Sequence, residues 1–413
     1  MPATGDILPL MRFSVSTEFH SAAGGLDAAF GFATENAVLR QYVTAQLRER
    51  GVLTFRQFMQ MALYHPDEGY YRRRDPIGAR GDYLTSPELH PLFGALLRRQ
   101  LAEMWEALDR PAAFSLIEMG AGSGTLARAI LAGRDSGGFD AALRYTIVEP
   151  DGRLRETQAR TLGSLASAVS WQDALATQPP DAYGCLLSNE LIDSFPVHRV
   201  IVRDGRLREL LVGMENERFI DVEGQLSTPA LAEYFARIGV LPGEGCIAEV
   251  NLDALEWMRA AARAIGRGFV LTLDYGHPAR QLYAPWRRQG TLLCYSRHTV
   301  HADPYVRIGQ QDLTAHVDFT ALALAGEAAG LQTLGFTSQQ RFLSALGIAE
   351  ALAGGPGGNL PLEEYLARRR AVADLLNPEG LGRVRVLAQG KAAGSPGLRG
   401  FAQDNEVEAL WTR

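Results

Sequence analysis

From residue 114 onward the chain repeats one pattern: a short apolar run, a turn rich in glycine or acids, then apolar positions at helical spacing. Runs at 114–119, 145–150, 169–173 and 185–189 predict strands. A strand, a helix and a strand return at 246–249, 253–265 and 269–274. A helix at 313–329 and a strand at 331–337 follow, and a helix at 361–376 and a strand at 383–389 close the series. Such alternation predicts an α/β fold around an open sheet. The period changes between these blocks: residues 197–202, 206–212 and 217–222 alternate, with turn signals such as Asp204-Gly205 between them. They predict an inserted β meander, followed by a helix near 228–239. Upstream, helices are predicted at 35–49 and 54–63, and a long one at 88–108 on the stripe Leu92, Leu96, Leu97, Leu101 and Met104. Residues 1–34 read as a flexible arm, Gly354-Gly355-Pro356-Gly357-Gly358 as a hinge or loop, and 392–400 as a loose tail.

The first strand of the core carries the most pointed chemistry. It runs Leu116-Ile117-Glu118-Met119 into Gly120-Ala121-Gly122-Ser123-Gly124-Thr125 and then a helix. The glycines remove Cβ atoms and permit positive φ, so the backbone can press against a ligand. The helix that follows aims its free N–H groups at whatever lies over the turn. A nicotinamide dinucleotide fingerprint wants glycine at 125, where this chain has Thr125. The E-x-G-x-G-x-G form instead resembles that of class I methyltransferases. That resemblance implies S-adenosylmethionine, with Gly120, Gly122 and Gly124 giving close approach and Glu118 meeting the ammonium of its methionine end. An ordinary glycine-rich turn has the same local form, so the context must decide.

The next strands supply that context. Glu149 ends the second strand, about 25 residues past the last glycine, where an acid can accept from two ribose hydroxyls. Alone it reads as a solvated acid. Asp173 is placed either to face the adenine amino group or to cap a helix. The fourth strand empties into Asn189-Glu190-Leu191-Ile192-Asp193, and ligands of open α/β sheets bind beyond the carboxyl ends of the strands. Thr85 and Ser86 open a helix and cap it, or meet the methionine carboxylate, since a helix start favours an anion.

Composition narrows the class. The chain has 413 residues, which suits two domains or one with large insertions, and 46% hydrophobic residues, enough for a sizeable core. A net charge of −6 argues against a general polyanion binder. Arg72-Arg73-Arg74 and Arg368-Arg369-Arg370 lack interleaved aromatics and read as solvated faces. The 3 cysteines are scattered in apolar contexts, with no metal spacing and no disulfide framework. No metal is expected. No apolar run reaches membrane-span length, and the first residues do not read as a signal or transit peptide.

Several segments together resemble the MidA family. They are Tyr64-His65-Pro66-Asp67-Glu68-Gly69-Tyr70-Tyr71, Gly81-Asp82-Tyr83-Leu84-Thr85-Ser86-Pro87-Glu88, Phe93-Gly94, Asn189-Glu190 with Asp193 and Pro196, Asp274-Tyr275-Gly276, and the run from Gln311 to Phe319. The resemblance spans roughly 35–390. It implies an α/β class I methyltransferase fold with a Rossmann-like sheet, an N-terminal helical extension at 35–110 and a catalytic domain at 111–390. That domain carries the insertion at about 197–245, and a tail follows at 391–413. It also implies S-adenosylmethionine as cofactor and arginine methylation of a protein partner, as in the mitochondrial member that acts in complex I assembly. The family's C-terminal G-M-G-x-x-F-K reads here Gly380-Leu381-Gly382-Arg383-Val384-Arg385-Val386, with Arg385 in place of the aromatic.

Methyl transfer to arginine needs the guanidinium oriented and its charge balanced, which paired carboxylates do by bidentate hydrogen bonding. Glu190 and Asp193 are the first candidates, Glu249 and Asp274 the next. His316 is a proton acceptor, a substrate contact or a helix-face histidine. Tyr70, Tyr71 and Tyr83 wall the cofactor or pack the core. Asn189 is assigned to the cofactor. The expected partner is a protein substrate, with no nucleic acid and no membrane insertion; a homodimer is an option for the assembly. The expected compartment is the cytoplasm, or the mitochondrial matrix in a eukaryote. A small-molecule methyltransferase on the same fold, or a non-catalytic cofactor-binding assembly factor, stand as alternatives.

Overall fold

The computed structural model describes residues 36–72, 85–133, 137–296, 299–352 and 360–411. The arm at 1–34, Tyr83 and the glycine run at 354–358 lie outside these residues.

Seven strands form the central sheet: β1 Phe114–Met119, β2 Leu143–Val148, β3 Val169–Gln172, β4 Tyr183–Asn189, β5 Arg267–Asp274, β6 Gln332–Ser338 and β7 Arg385–Lys391. Their order is β6-β7-β5-β4-β1-β2-β3. β3, β2, β1, β4 and β5 run parallel, and β7 is antiparallel to both β5 and β6. This is the sheet of class I methyltransferases. The order reverses at β1, so the crevice that takes a ligand opens between the carboxyl ends of β1 and β4.

Alternation along each strand feeds two apolar layers. Phe114, Leu116, Cys185, Leu187, Phe269 and Leu271 face one layer. Ile117, Met119, Leu186 and Val270 face the other. Strands buried on both faces read as continuous apolar runs, which is why β4 and β5 stood out in the sequence.

The helices are α1 Ala37–Arg50, α2 Phe55–Tyr64, α3 Leu92–Ala107, α4 Thr125–Ala132, α5 Gly152–Leu162, α6 Ala230–Ile238, α7 Leu252–Arg263, α8 Phe319–Ala328 and α9 Leu362–Leu376, with shorter turns between them. α2 opens with a capping box, Thr54 and Gln57 exchanging side-chain and backbone bonds. The expected helix at 88–108 is broken. A single turn, Ser86–Leu89, ends at His90, which is extended at φ −166° and ψ 144° because Pro91 follows. The helix expected at 313–329 begins at Phe319, where Asp318 caps it by accepting from the Ala321 N–H.

The insertion builds a second, antiparallel sheet from His198–Arg203, Arg206–Glu215 and Arg218–Gly224. Two segments from outside the expected limits join it. Leu53–Thr54 pairs with Arg206–Glu215, and Ile247–Val250 pairs with His198–Arg203. The strand expected at 246–249 therefore belongs to the inserted sheet and not to the central one. α1 and α2 pack on this sheet, sharing a core with Val200, Val212 and Phe219.

Beyond the stretch at 392–397, which carries no helix or strand, the chain packs onto the fold. Phe401 is buried and its ring lies 5.4 Å from that of Phe342. Leu410 is fully buried, and Thr320 donates to its carbonyl. Among the described residues no helix is long and apolar enough to cross a membrane.

Candidate functional site

The glycine turn after β1 has the shape its residues demand. Gly120, Gly122 and Gly124 take φ values of 84°, 52° and 85°, which side-chain-bearing residues rarely adopt. A Cβ on Gly124 would also stand 3.2 Å from the Gln158 Cα, so glycine lets α5 close against the start of α4. Over the turn lies a cleft bounded by Glu118 from β1, by Gly120 and Ala121 of the turn itself, by Asn189 at the end of β4, and by Thr85, Pro87 and Glu88 from the turn before α3.

Four expected cofactor positions flank this turn. Glu118 is buried, and the Tyr145 hydroxyl donates to it at 2.8 Å. Burial pushes its carboxyl up to about 7, against the Tyr145 bond. Glu149 is also buried and pushed up to about 7 by burial, while the Asp151 N–H, at 2.9 Å, pulls the other way. Asn189 donates to Glu190 Oε1 at 3.2 Å, and its own Oδ1 is buried without a hydrogen-bond partner. The Thr85 hydroxyl makes no capping bond although it stands at the cap position, so its expected role as a cap is not taken up.

The remaining two are placed differently. The Ser86 hydroxyl turns to Gln339 at 3.1 Å, and its N–H donates to Glu190 Oε1 at 3.2 Å. It supports the acid beside the cleft and is not among the cleft's lining residues. Asp173 follows the edge strand β3; its side chain is 83% exposed and pairs with Arg155 at 2.5 Å. That ion pair turns it outward, so it neither caps a helix nor lines the cleft.

The candidate catalytic acids gather at the ends of β4 and β5. Glu190 is fully buried and holds a left-handed conformation, φ 52°, with its N–H bonded to the Leu273 carbonyl at 2.8 Å. Asp193 is buried in the short turn that follows. Asp274 accepts from the N–H groups of Leu191, Ile192 and Tyr275 at 3.1, 2.7 and 2.8 Å. Burial, and then the neighbouring Asp193 carboxylate, push Asp274 well above the ordinary range.

Glu249 and His316 sit apart from the cleft. Glu249 lies on the inserted sheet, where its Oε2 accepts from the Thr291 N–H at 2.7 Å and hydroxyl at 3.0 Å. Burial raises its pKa. His316 is on a loop between two short strands, not on a helix face, and its N–H donates to the Thr291 hydroxyl at 3.0 Å. Burial holds its imidazole neutral, well below the usual histidine value. Tyr70 is fully buried in the core, and Tyr71 donates to Asp312 at 2.9 Å.

Sequence reasoning missed Gln158 and Glu88. Gln158 is fully buried: it donates to the Gly122 carbonyl at 3.1 Å and to Glu149 at 3.4 Å, and accepts from Trp171 at 2.9 Å. It ties the glycine turn, Glu149 and β3 together. The signal was available, since Gln158 stands between Leu154 and Leu162 at helical spacing, a polar residue on an apolar stripe. Glu88 accepts from the Ser123 hydroxyl of the glycine turn at 2.6 Å, a contact no spacing foretold.

A family model described as "Putative S-adenosyl-L-methionine-dependent methyltransferase" matches residues 96–337. The chain belongs to this family. The methyltransferase is 30% identical, over 71% of its length and 70% of the relative's, to a Drosophila melanogaster protein named protein arginine methyltransferase NDUFAF7 homolog, mitochondrial. It is 29% identical to the Homo sapiens protein of the corresponding name, over 76% of this chain and 75% of that one. It also superposes on a Burkholderia thailandensis crystal structure, described as a "likely methyl transferase" and bound to S-adenosyl-homocysteine. The TM-score is 0.81 and the identity 32%, covering 90% of this chain and 96% of that chain. S-adenosylmethionine is the methyltransferase's cofactor. The residues present suit it: a turn whose three positive-φ glycines open the backbone to a ligand, a buried acid lining the cleft, and the buried Asn189 oxygen with no partner.

Proposed function

We propose that this methyltransferase modifies an arginine of a protein substrate. The observation that carries this reading is Glu190: a buried carboxylate, in a backbone conformation that costs energy, one residue from Asn189 in the cofactor cleft. Strain of this kind persists where the surroundings over-determine it, and it concentrates at functional sites. A guanidinium is the side chain that a buried pair such as Glu190 and Asp193 recognises best, being planar, always charged and able to bond bidentately. The NDUFAF7 relatives are named protein arginine methyltransferases, which supports the substrate class.

The bound cofactor supplies an electrophilic methyl group. The chain's residues do the rest. Gly120, Gly122 and Gly124 admit the cofactor's methionine end, and Glu118 binds its ammonium. Glu149, held by Gln158 and the Asp151 N–H, meets the ribose hydroxyls. Thr85, with its hydroxyl unspent on capping, is assigned to the methionine carboxylate. Ser86 N–H and the Asn189 amide fix Glu190 Oε1, and Asp274 fixes the turn behind it by gathering three backbone N–H groups. Glu190 and Asp193 orient the guanidinium, and Glu190 receives the proton that the nitrogen loses. Glu249 and His316, bonded to Thr291 apart from the cleft, do not take the proton. With 3 buried free cysteines, a reducing compartment fits: the cytoplasm, or the mitochondrial matrix.

Glu190→Gln keeps the shape and removes the charge. Methyl transfer from labelled cofactor to proteins of a deletion-strain lysate should fall about 100-fold or more, with S-adenosyl-homocysteine affinity within about twofold of wild type. Undiminished transfer by this variant refutes the assignment. Mass spectrometry of the labelled species must locate the methyl on arginine; a label on a small molecule refutes the substrate class.

A further inference from the structure

Next to the acid cluster the fold assembles its electrical opposite. The rings of His277 and His316 lie 5.3 Å apart. The Arg287 guanidinium reaches His277 Nε2 at 2.9 Å and is otherwise held by the Gln281 carbonyl. Arg383 lies over the Tyr275 ring, its Cζ 5.7 Å from the centroid. Arg383 Nε and His316 Nδ1 are both shut off from solvent with no hydrogen-bond partner. Arg385, two residues on, is excluded from this group because Glu406 engages it.

Among the described residues, no carboxylate pairs with Arg287, Arg383, His277 or His316. Burial holds both imidazoles neutral, and the full charges that act on them are the guanidinium groups of Arg287 and Arg383, with Arg385 also reaching His277. All are cationic. Partly buried cations without a counter-charge are unfavourable, and an anion from outside relieves them.

The cluster also adjoins the acceptor site. Ala315, beside His316, donates its N–H to the Asp193 carbonyl at 2.9 Å, and Tyr275, under Arg383, donates its N–H to Asp274. A ligand that spans both places must carry a cation and, close by, an anion.

We propose that Arg287, Arg383, His277 and His316 form a second recognition pocket, which binds the carboxylate of an aspartate or glutamate flanking the acceptor arginine. This rests on the protein-arginine reading above, and the pocket sets which arginines are methylated.

Two measurements test it separately. The first needs no transfer: N-acetyl-aspartate N-methylamide is titrated into the S-adenosyl-homocysteine complex while the His277 and His316 ring resonances are followed. Saturable shifts are expected in the wild type, with affinity about tenfold weaker in Arg383→Gln and largely restored in Arg383→Lys. Absence of saturable binding to the wild type overturns the pocket. So does binding that Arg383→Gln leaves unchanged while the variant still binds S-adenosyl-homocysteine.

The second compares arrayed peptides with one arginine and either an acidic or an amide residue at each flanking position. Acid-to-amide replacement should raise KM about tenfold with little change in kcat, and Arg383→Gln should erase that difference. Equal KM values for acid and amide peptides overturn the proposal. If no peptide accepts methyl while the ring titration saturates, the arginine reading fails and the anion site stands.

Discussion

Glu118 and Glu149 hold acids in a place that favours their neutral form until a ligand compensates them. Their position beside the glycine turn was readable from spacing; their protonation was not, because it depends on the burial that β2, α5 and the turn before α3 create. Glu118 makes a definite prediction. Its folded pKa, about 7, lies above the ordinary 4.5. The folded state therefore holds the proton more tightly than the unfolded chain. Stability from this source is fully present below about pH 4.5 and is lost as pH rises through about 7, a change of about 3 kcal/mol. Ligand-free Glu118→Gln should thus gain stability relative to wild type between pH 4.5 and 7, in chemical denaturation at a series of pH values. S-adenosyl-homocysteine should also bind wild type more weakly below pH 7 than above it, and calorimetry across that range checks the sign. A constant stability difference between Glu118→Gln and wild type would mean that the carboxyl is not protonated in the folded state.

Elements decide how those residues meet. Gln158 shows how an element positions a site it does not itself supply. It projects from α5, yet it binds the glycine turn, Glu149 and the Trp171 indole of β3. Gln158→Leu keeps the volume but leaves the Gly122 carbonyl and the indole N–H unpaired, at a cost of about 2–4 kcal/mol. Cofactor affinity should fall about tenfold and the melting temperature with it, while the fold, read by far-ultraviolet circular dichroism, persists. Unchanged affinity would show that the turn holds its shape without this bridge. The strands themselves were legible because β4 and β5 are buried on both faces and the inserted strands on one. Element limits were less so, since His90-Pro91 splits a helix that periodicity alone extends, and Asp318 starts another later than its apolar pattern suggests.

At the scale of the whole molecule, segments far apart in the sequence complete both sheets. The segment Leu53–Thr54 completes the inserted sheet, and the last residues close the far side of the central one. Removing 398–413 would expose the sites of Phe401 and Leu410 and take Glu406 from Arg385 and Arg341. We expect a loss of about 4 kcal/mol in denaturant unfolding, with the glycine turn and its cofactor binding intact. A truncation without effect on stability would make the packing of this segment incidental.

The central strands, the glycine turn and the acid that follows β2 were legible in the sequence, because each is written in consecutive residues whose spacing the backbone must obey. The sequence also held the family, in segments scattered from 64 to 319. That Asp173 faces solvent, that Ser86 serves Glu190, that Glu249 belongs to a second sheet, and that two arginines and two histidines from separate segments converge beside the buried acids follows from the three-dimensional packing alone. Burial and charge are properties of what packs around a residue. Those neighbours come from distant parts of the chain, where no local pattern announces them.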